Sequence, residues 1–234
     1  MGKSDVTTEW APLRQAIVES RELATALARA NVEILQARRK HPRDALFVVG
    51  RHVIAGSLRA TARRREIDAL TALIAPTHTV PPGADNEVDG PFLEGGDVVL
   101  NGSEIYVGMS GNASNLEGID WLAALVGAGV RVVPMAMRSS VRHLEDVLAL
   151  VRPGLLIQCR TLLVDGLPRA LRDWQSIDIA PEESANVLVL DERRVLLDRT
   201  QSWLAAELHR HGIETVTVGL GGGLRSAHCA LMRE

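Results

Sequence analysis

The strongest constraint on the fold of this chain is a repeated pattern of paired apolar runs. In each copy two short apolar runs flank a polar turn, and an amphipathic helix and a further short strand usually follow. Two of the turns, Asn101-Gly102-Ser103 and Asp191-Glu192-Arg193, suit hairpin connections. The paired runs are 46–50 with 52–55, 98–100 with 104–107, 155–158 with 161–164, and 187–190 with 194–197.

The repeated unit is therefore strand-strand-helix-strand. The helices that the pattern predicts are 118–126, 167–174 and 200–211, and the strands that follow them are 130–134, 177–180 and 214–218. A further copy can form from the C-terminal strand around Cys229 and the N-terminal segment 13–18. Because such units cannot bury their apolar faces alone, we expect them to pack in a ring or a stack.

Domain organisation follows from the spacing of these units. Residues 76–91 are rich in Pro, Gly and Asp and predict a long loop. No low-complexity segment or linker divides the chain, so we expect residues 1–234 to form a single catalytic domain.

Composition excludes several classes of protein. The 234 residues are 46% hydrophobic and 24% charged, which is ordinary for a globular protein. The net charge of -3 argues against nucleic acid or an anionic membrane as a partner. No apolar run reaches the roughly 20 residues of a spanning helix, and residues 1–10 lack an apolar signal region. We therefore expect a cytoplasmic protein in which both cysteines are free thiols.

Four segments carry residues suited to chemistry: 41–44, 92–97, 143–146, and 221–223 with the following His228-Cys229. Each also has an ordinary structural explanation. The first can be a solvated turn, the second a turn with capping acids, and the third a helix N-terminus that favours acids. Cys229 can be a small buried hydrophobe, and that reading is the favoured one for Cys159 in its apolar strand.

Taken together, the four segments favour one reaction. A reactive cysteine needs a lowered pKa or a neighbouring base. A guanidinium is planar and permanently charged, and its paired N–H donors fit carboxylates bidentately. One thiol, one imidazole and several acids therefore suit attack on a guanidinium carbon.

The motifs resemble the superfamily of guanidino-group-modifying enzymes, which includes amidinotransferases, arginine deiminases and dimethylarginine dimethylaminohydrolases. The resemblance covers almost the whole chain and keeps the order acid, histidine, cysteine. The segments that carry it are Glu9–Leu13, Pro42-Arg43-Asp44, Glu94-Gly-Gly-Asp97, Ser114-Asn115, Gly118–Trp121, His143-Leu144-Glu145, and Gly221–Gly223 with His228-Cys229. Residues 224–227 look like a local insertion relative to the family.

The resemblance implies an α/β fold, a five-module ββαβ propeller of the pentein type. It implies Cys229 as the nucleophile, His143 as the general acid and base, and Glu94 as the catalytic acid. We expect the side chains of Asp44, Glu94, His143 and Cys229 to converge on one pocket.

The resemblance further implies substrate-binding roles for Asp44 and Arg43, with Glu145 and Asp97 as additional acids. Because Glu145 supplies an acid in the predicted substrate-binding site, we expect an unsubstituted guanidinium to be preferred over a dimethylated one. No metal and no cofactor are required.

The activity implied is that of a cysteine-dependent amidinotransferase acting on L-arginine or a related guanidine through a covalent amidino-cysteine intermediate. Two alternatives stay open. One is a hydrolase of the same family that gives citrulline, and the other is a non-catalytic guanidine-binding protein. The partners expected are a small-molecule guanidine and, for transfer, an amine acceptor; a homodimer also stays open.

Overall fold

The computed structural model describes residues 5–37, 41–74, 78–81, 90–220 and 223–234. Within them the chain forms a mixed α/β fold in which helices alternate with short strands. The strands are β1 (Leu13–Val18), β2 (Glu33–Gln36), β3 (Leu46–Val49), β4 (His52–Ala55), β5 (Val98–Asn101), β6 (Glu104–Met109), β7 (Arg131–Ala136), β8 (Leu148–Arg152), β9 (Leu155–Gln158), β10 (Gln175–Asp178), β11 (Leu188–Asp191), β12 (Arg194–Asp198), β13 (Glu214–Val218) and β14 (His228–Arg233).

The helices are short, and several connections are single 3-10 turns. The α-helices are α1 (Arg21–Arg29), α2 (Pro42–Ala45), α3 (Arg65–Thr71), α4 (Leu116–Val126) and α5 (Ser202–Arg210). The 3-10 turns are Thr61–Arg63, Gly95–Asp97, Leu144–Asp146, Arg160–Leu162 and Arg169–Leu171. No helix in the described part of the chain has both the length and the apolar character needed to cross a membrane.

The strands form five small sheets that follow one another along the chain. Three of them share one topology, an antiparallel hairpin followed by a parallel third strand: β5-β6-β7, β8-β9-β10 and β11-β12-β13. The strands β3 and β4 form an antiparallel pair. In the remaining sheet β1 pairs antiparallel with β14 and parallel with β2, so the predicted joining of the chain's two ends is confirmed.

Two predicted elements are wrong, and local chain geometry explains the first. Residues 155–158 do not pair with 161–164, because Gly154 has a positive φ of 82° and closes a tight hairpin between β8 and β9. The predicted helix 167–174 is reduced to the turn Arg169–Leu171. Most of the predicted loop 76–91 lies outside the described residues, as do Gly221 and Gly222.

The core is built from Leu, Val, Ile and Ala, as the aromatic content of 3% requires. One buried cluster includes residues from β1, β3, β14 and α4, and a second includes residues from β8 to β12. The turns that precede β3, β5 and β8, together with the first residues of β14, carry the predicted site residues, so packing of these sheets decides which side chains meet.

Helix α4 gives a matched test of this packing. Leu122 is fully buried at 0% exposure, whereas Leu116 in the same helix is 54% exposed. Leu122→Ala should lower the free energy of unfolding by about 2–5 kcal/mol, because it leaves a cavity in the core. Leu116→Ala should change it by less than about 0.5 kcal/mol. Denaturant titration of both variants measures this, and equal losses would contradict the packing of α4.

Candidate functional site

The first acid of the site, Asp44, is presented by the one-turn helix α2. His41 precedes this helix in the left-handed conformation with φ of 53°, and Pro42 is its first residue, where a missing N–H costs nothing. The backbone N–H of Arg43 donates to the carbonyl of Ser226 at 3.4 Å, which ties α2 to the turn before β14. Asp44 is 2% exposed, so its carboxylate depends on partners within the protein or on a ligand.

The second acid, Glu94, precedes the turn Gly95–Asp97. Its backbone N–H donates to Ser114 Oγ at 3.0 Å, and its Oε1 accepts the backbone N–H of Arg59 at 3.2 Å. A Cβ at Gly96 would lie 2.8 Å from the ring of His143 and 3.0 Å from Asp44 Oδ1. The glycines of this motif therefore allow the backbone to pack directly against the two other side chains of the site.

The third group, His143, joins the two acids. Its Nε2 lies 2.9 Å from Glu94 Oε2, and its Nδ1 lies 3.7 Å from Asp44 Oδ1. Burial disfavours the imidazolium, but the hydrogen bond to Glu94 and the charges of Asp44 and other nearby carboxylates outweigh burial and raise the pKa of His143 to about 10. The imidazole is therefore held as a cation near neutral pH.

A guanidinium already lies in this cluster, and it belongs to Arg63. Nη1 of Arg63 lies 2.9 Å from Asp44 Oδ2 and 4.0 Å from Glu94 Oε2. The other edge of the same guanidinium pairs with Glu66 at 3.0 Å. Sequence reasoning missed Arg63, because nothing in the run Arg63-Arg64-Arg65 distinguishes a buried arginine from a solvated one.

Three of the residues predicted to bind substrate, Arg43, Asp97 and Glu145, have charged or polar partners within the protein. Arg43 donates to Glu9 at 3.1 Å and to the carbonyl of Val98 at 2.7 Å. Glu145 Oε2 lies 3.2 Å from Arg43 Nε. Burial raises the pKa of Glu145 to about 7, although Arg43 and a second arginine lower it.

Asp97 has a structural role at the same turn. It accepts the backbone N–H groups of Ser114 at 3.1 Å and Leu144 at 3.0 Å. Burial raises its pKa to about 6 against the opposing charge of His143. Asp97 thus positions the segments that carry Glu94 and His143. Because Glu145 pairs with Arg43, its negative charge no longer supports a preference for an unsubstituted guanidinium.

Cys229 does not join this cluster of three side chains. The side chains whose ligand-type atoms lie within 4.8 Å of one another are, among the described residues, Asp44, Glu94 and His143. The thiol is 1% exposed and lies in the core cluster. Burial raises its pKa to about 12, although Arg43 lowers it, so the sulfur is a neutral thiol rather than a thiolate. Cys159 is fully buried, as predicted.

The turn before β14 supplies a polar pair that the sequence reasoning passed over. Ser226 Oγ donates to the carbonyl of Gly223 at 2.9 Å and lies 3.1 Å from His41 Nδ1. Residues 224–227, interpreted as an insertion, form this turn. The sequence features that could have indicated this pair are a serine three positions before Cys229 and a histidine three positions before Asp44.

The three converging side chains are of the types that bind metal ions, and one ligand atom from each lies within 4.8 Å of the others. Asp44 approaches Nδ1 of His143 and Glu94 approaches Nε2, so the two carboxylates flank the imidazolium. The same arrangement of carboxylates also suits an organic cation.

Comparisons with known proteins concern both the sequence and the fold. No protein-family model matches the chain. Inosamine-phosphate amidinotransferase 1 of Streptomyces glaucescens is 25% identical over 235 residues, covering 82% of this chain and 66% of that protein. The chain thus spans just under two thirds of the length of this relative.

The solved structures that superpose on this chain include an amidinotransferase and a dimethylarginine dimethylaminohydrolase. An amidinotransferase from Microseira wollei in the saxitoxin biosynthetic pathway superposes with a TM-score of 0.83 at 18% identity, covering 100% of this chain and 98% of that one. Dimethylarginine dimethylaminohydrolase from Pseudomonas aeruginosa, complexed with citrulline, superposes with a TM-score of 0.74 at 20% identity, covering 95% and 100%.

The chain is therefore similar in sequence to amidinotransferases and similar in fold to guanidino-group-modifying enzymes. The sequence relatives also include a protein named glycine amidinotransferase from Gallus gallus, 23% identical over 248 residues.

The charged state of His143 makes a prediction about pH. The pKa of His143 is about 10 in the folded protein against 6.5 as its ordinary value, so its contribution to stability is complete below about pH 6.5 and is lost as the pH rises through about 10. The free energy of unfolding should therefore fall over this interval. In His143→Gln the fall should be largely absent. Urea titrations at several pH values test this, and parallel profiles for the two proteins would contradict it.

Proposed function

We propose that the chain binds the guanidinium group of a small-molecule guanidine, such as L-arginine, between Asp44, Glu94 and His143. The observation that carries this proposal is the ion pair of 2.9 Å between Asp44 and the guanidinium of Arg63. The pocket thus already accommodates the functional group that a guanidine ligand would bring. The relatives, which are amidinotransferases by name, support the same ligand class.

The donor and acceptor pattern suits a free guanidine better than it suits Arg63. Asp44 Oδ2 pairs with Arg63, but Asp44 Oδ1 is buried and has no hydrogen-bond partner among the described residues. A guanidinium lying in the plane of this carboxylate would use both oxygens, in the bidentate arrangement that such pairs favour. It would also satisfy a buried acceptor whose isolation costs roughly 1–3 kcal/mol.

Binding of L-arginine to the wild-type protein, measured by calorimetry, tests the proposal. Asp44→Asn keeps the shape of the side chain but removes the charge, so it should weaken binding at least about tenfold, the effect of a lost charge-assisted contact. Asp120→Asn, at an exposed position in α4, is the matched control and should bind as the wild type does. Binding that is unaffected by Asp44→Asn would place the ligand elsewhere and refute the site.

A second candidate function is amidino transfer at this site, with hydrolysis to citrulline as its alternative. The names of the relatives favour it. In this reaction the Cys229 thiolate forms a bond to the guanidinium carbon, the C–N bond breaks, and His143 donates a proton to the departing amine. An acceptor amine, or water, then displaces the sulfur. The buried thiol must first be deprotonated and brought to the pocket, a requirement that guanidine binding alone does not have.

Product analysis separates the candidates. With arginine and an amine acceptor, transfer gives ornithine, hydrolysis gives citrulline, and a binding protein leaves arginine intact. Cys229→Ser should abolish turnover if Cys229 is the nucleophile, because a hydroxyl is a far weaker nucleophile at neutral pH. Cys159→Ser is the matched control and should keep activity. Full turnover in Cys229→Ser would eliminate the covalent mechanism through this residue.

The remaining parts of the proposal concern the whole protein. We propose that the five sheets are the modules of a ββαβ propeller and that residues 1–234 form one catalytic domain. The repeated hairpin-plus-parallel-strand topology and the pairing of β1 with β14 support this arrangement. A cytoplasmic location and a homodimer remain expectations from the sequence.

A further inference from the structure

The guanidinium of Arg63 is held on both of its edges. One edge faces Asp44 at 2.9 Å and Glu94 at 4.0 Å, and the other faces Glu66 at 3.0 Å. The side chain of Arg63 is 16% exposed, whereas those of Asp44 and Glu94 are 3% and 2% exposed. Arg63 therefore lies on the solvent side of the two acids, between them and the outside.

The segment around Arg63 also covers the acids with its backbone. Ser57 and Leu93 exchange backbone hydrogen bonds of 3.0 and 3.1 Å, and the N–H of Arg59 donates to Glu94 at 3.2 Å. The guanidinium of Arg59 lies 4.5 Å above the ring of Phe92. Residues 57–63 thus run from a fixed point beside Leu93 across the mouth of the cluster.

Beyond Ser57 and Arg59, the segment is held by few buried side chains: Leu58 is fully buried, Ile67 packs against the core, and Arg64 donates to the carbonyl of Leu58 at 3.2 Å. The turn Thr61–Arg63 contains no buried residue, and Leu70 is the buried residue of α3. Neither element has a side-chain hydrogen bond at its N-terminus. Segments that bury little apolar surface open at lower free energy than the core does.

The pair with Glu66 lowers the cost of such an opening. Glu66 lies three residues after Arg63 in the same chain segment, and all of its hydrogen bonds to Arg63 are local. When the segment moves outward, Arg63 keeps this partner and loses only Asp44 and Glu94. The guanidinium is then already paired outside the pocket.

From these contacts we propose that Arg63 is an intramolecular competitor that occupies the guanidinium position, so that a guanidine binds only when the segment 59–66 moves away. The proposal rests on the proposed function, because it assigns Arg63 to the same position as the ligand. Under this proposal the affinity for guanidines depends on Arg63 and Glu66, two residues that do not contact the bound ligand. A site that is open a tenth of the time binds about tenfold more weakly than an open one.

The test compares Arg63→Gln with Arg65→Gln, a matched control at an exposed arginine two residues away. Calorimetry with L-arginine and with methylguanidine should show at least about tenfold tighter binding by Arg63→Gln than by the wild type, and no change for Arg65→Gln. Both ligands are used because methylguanidine has no carboxylate, so a gain with both assigns the effect to the guanidinium position.

A second measurement uses the wild-type protein and does not depend on the folding of a variant. Hydrogen exchange of residues 59–71 should become faster when methylguanidine is added, because the segment is displaced. If wild type and Arg63→Gln bind guanidines equally and exchange does not change, the competition is refuted while the guanidine site stands. If no protein binds either ligand, the proposed function fails and this inference fails with it.

Discussion

One buried carboxylate, Glu9, holds the middle of the fold together. Burial raises its pKa, but three arginines lower it to about 2, so it stays charged. Each of these arginines also donates to a backbone carbonyl in a different sheet: Arg43 to Val98, Arg225 to Leu148, and Arg233 to Val189. Breaking a buried pair of this kind by removing one partner costs about 3–5 kcal/mol. The relative positions of the sheets, and hence of the loops that meet at the site, depend on this network.

The site above the network is balanced in charge. Asp44 and Glu94 bring two carboxylates, and protonated His143 compensates one of them. Arg63 compensates the other. A ligand that takes the place of Arg63 must therefore also carry one positive charge, since an uncompensated buried carboxylate is costly. This balance supports the proposed binding of guanidines and related monocations, and it does so without reference to any particular reaction.

The sequence predicted the repeated units and the motifs that contain Asp44, Glu94 and His143. It did not predict the partners that Arg43, Asp97 and Glu145 have within the protein. Hairpin turns and apolar runs are local signals, and they located β3 to β6, β11 and β12 closely. Asp44, Glu94 and His143 also follow from their motifs. For Cys229, a histidine-cysteine pair after glycines suggests a reactive thiol, whereas burial within β14 raises the pKa of the thiol. The role of Arg63 depends on a contact 19 residues distant in sequence, for which a single chain carries no signal.

The one-turn helix α2 places two opposite charges on consecutive residues. Arg43 faces the central network, and Asp44 faces the pocket. Exchanging the two residues, Arg43→Asp together with Asp44→Arg, would reverse both charges. The pocket would then display a guanidinium where it now displays a carboxylate, and the central network would contain a second acid in place of its arginine. Such a protein should repel cations and attract carboxylates or phosphates, so the sign of the ligand charge in this architecture depends on the order of two consecutive residues in a single helical turn.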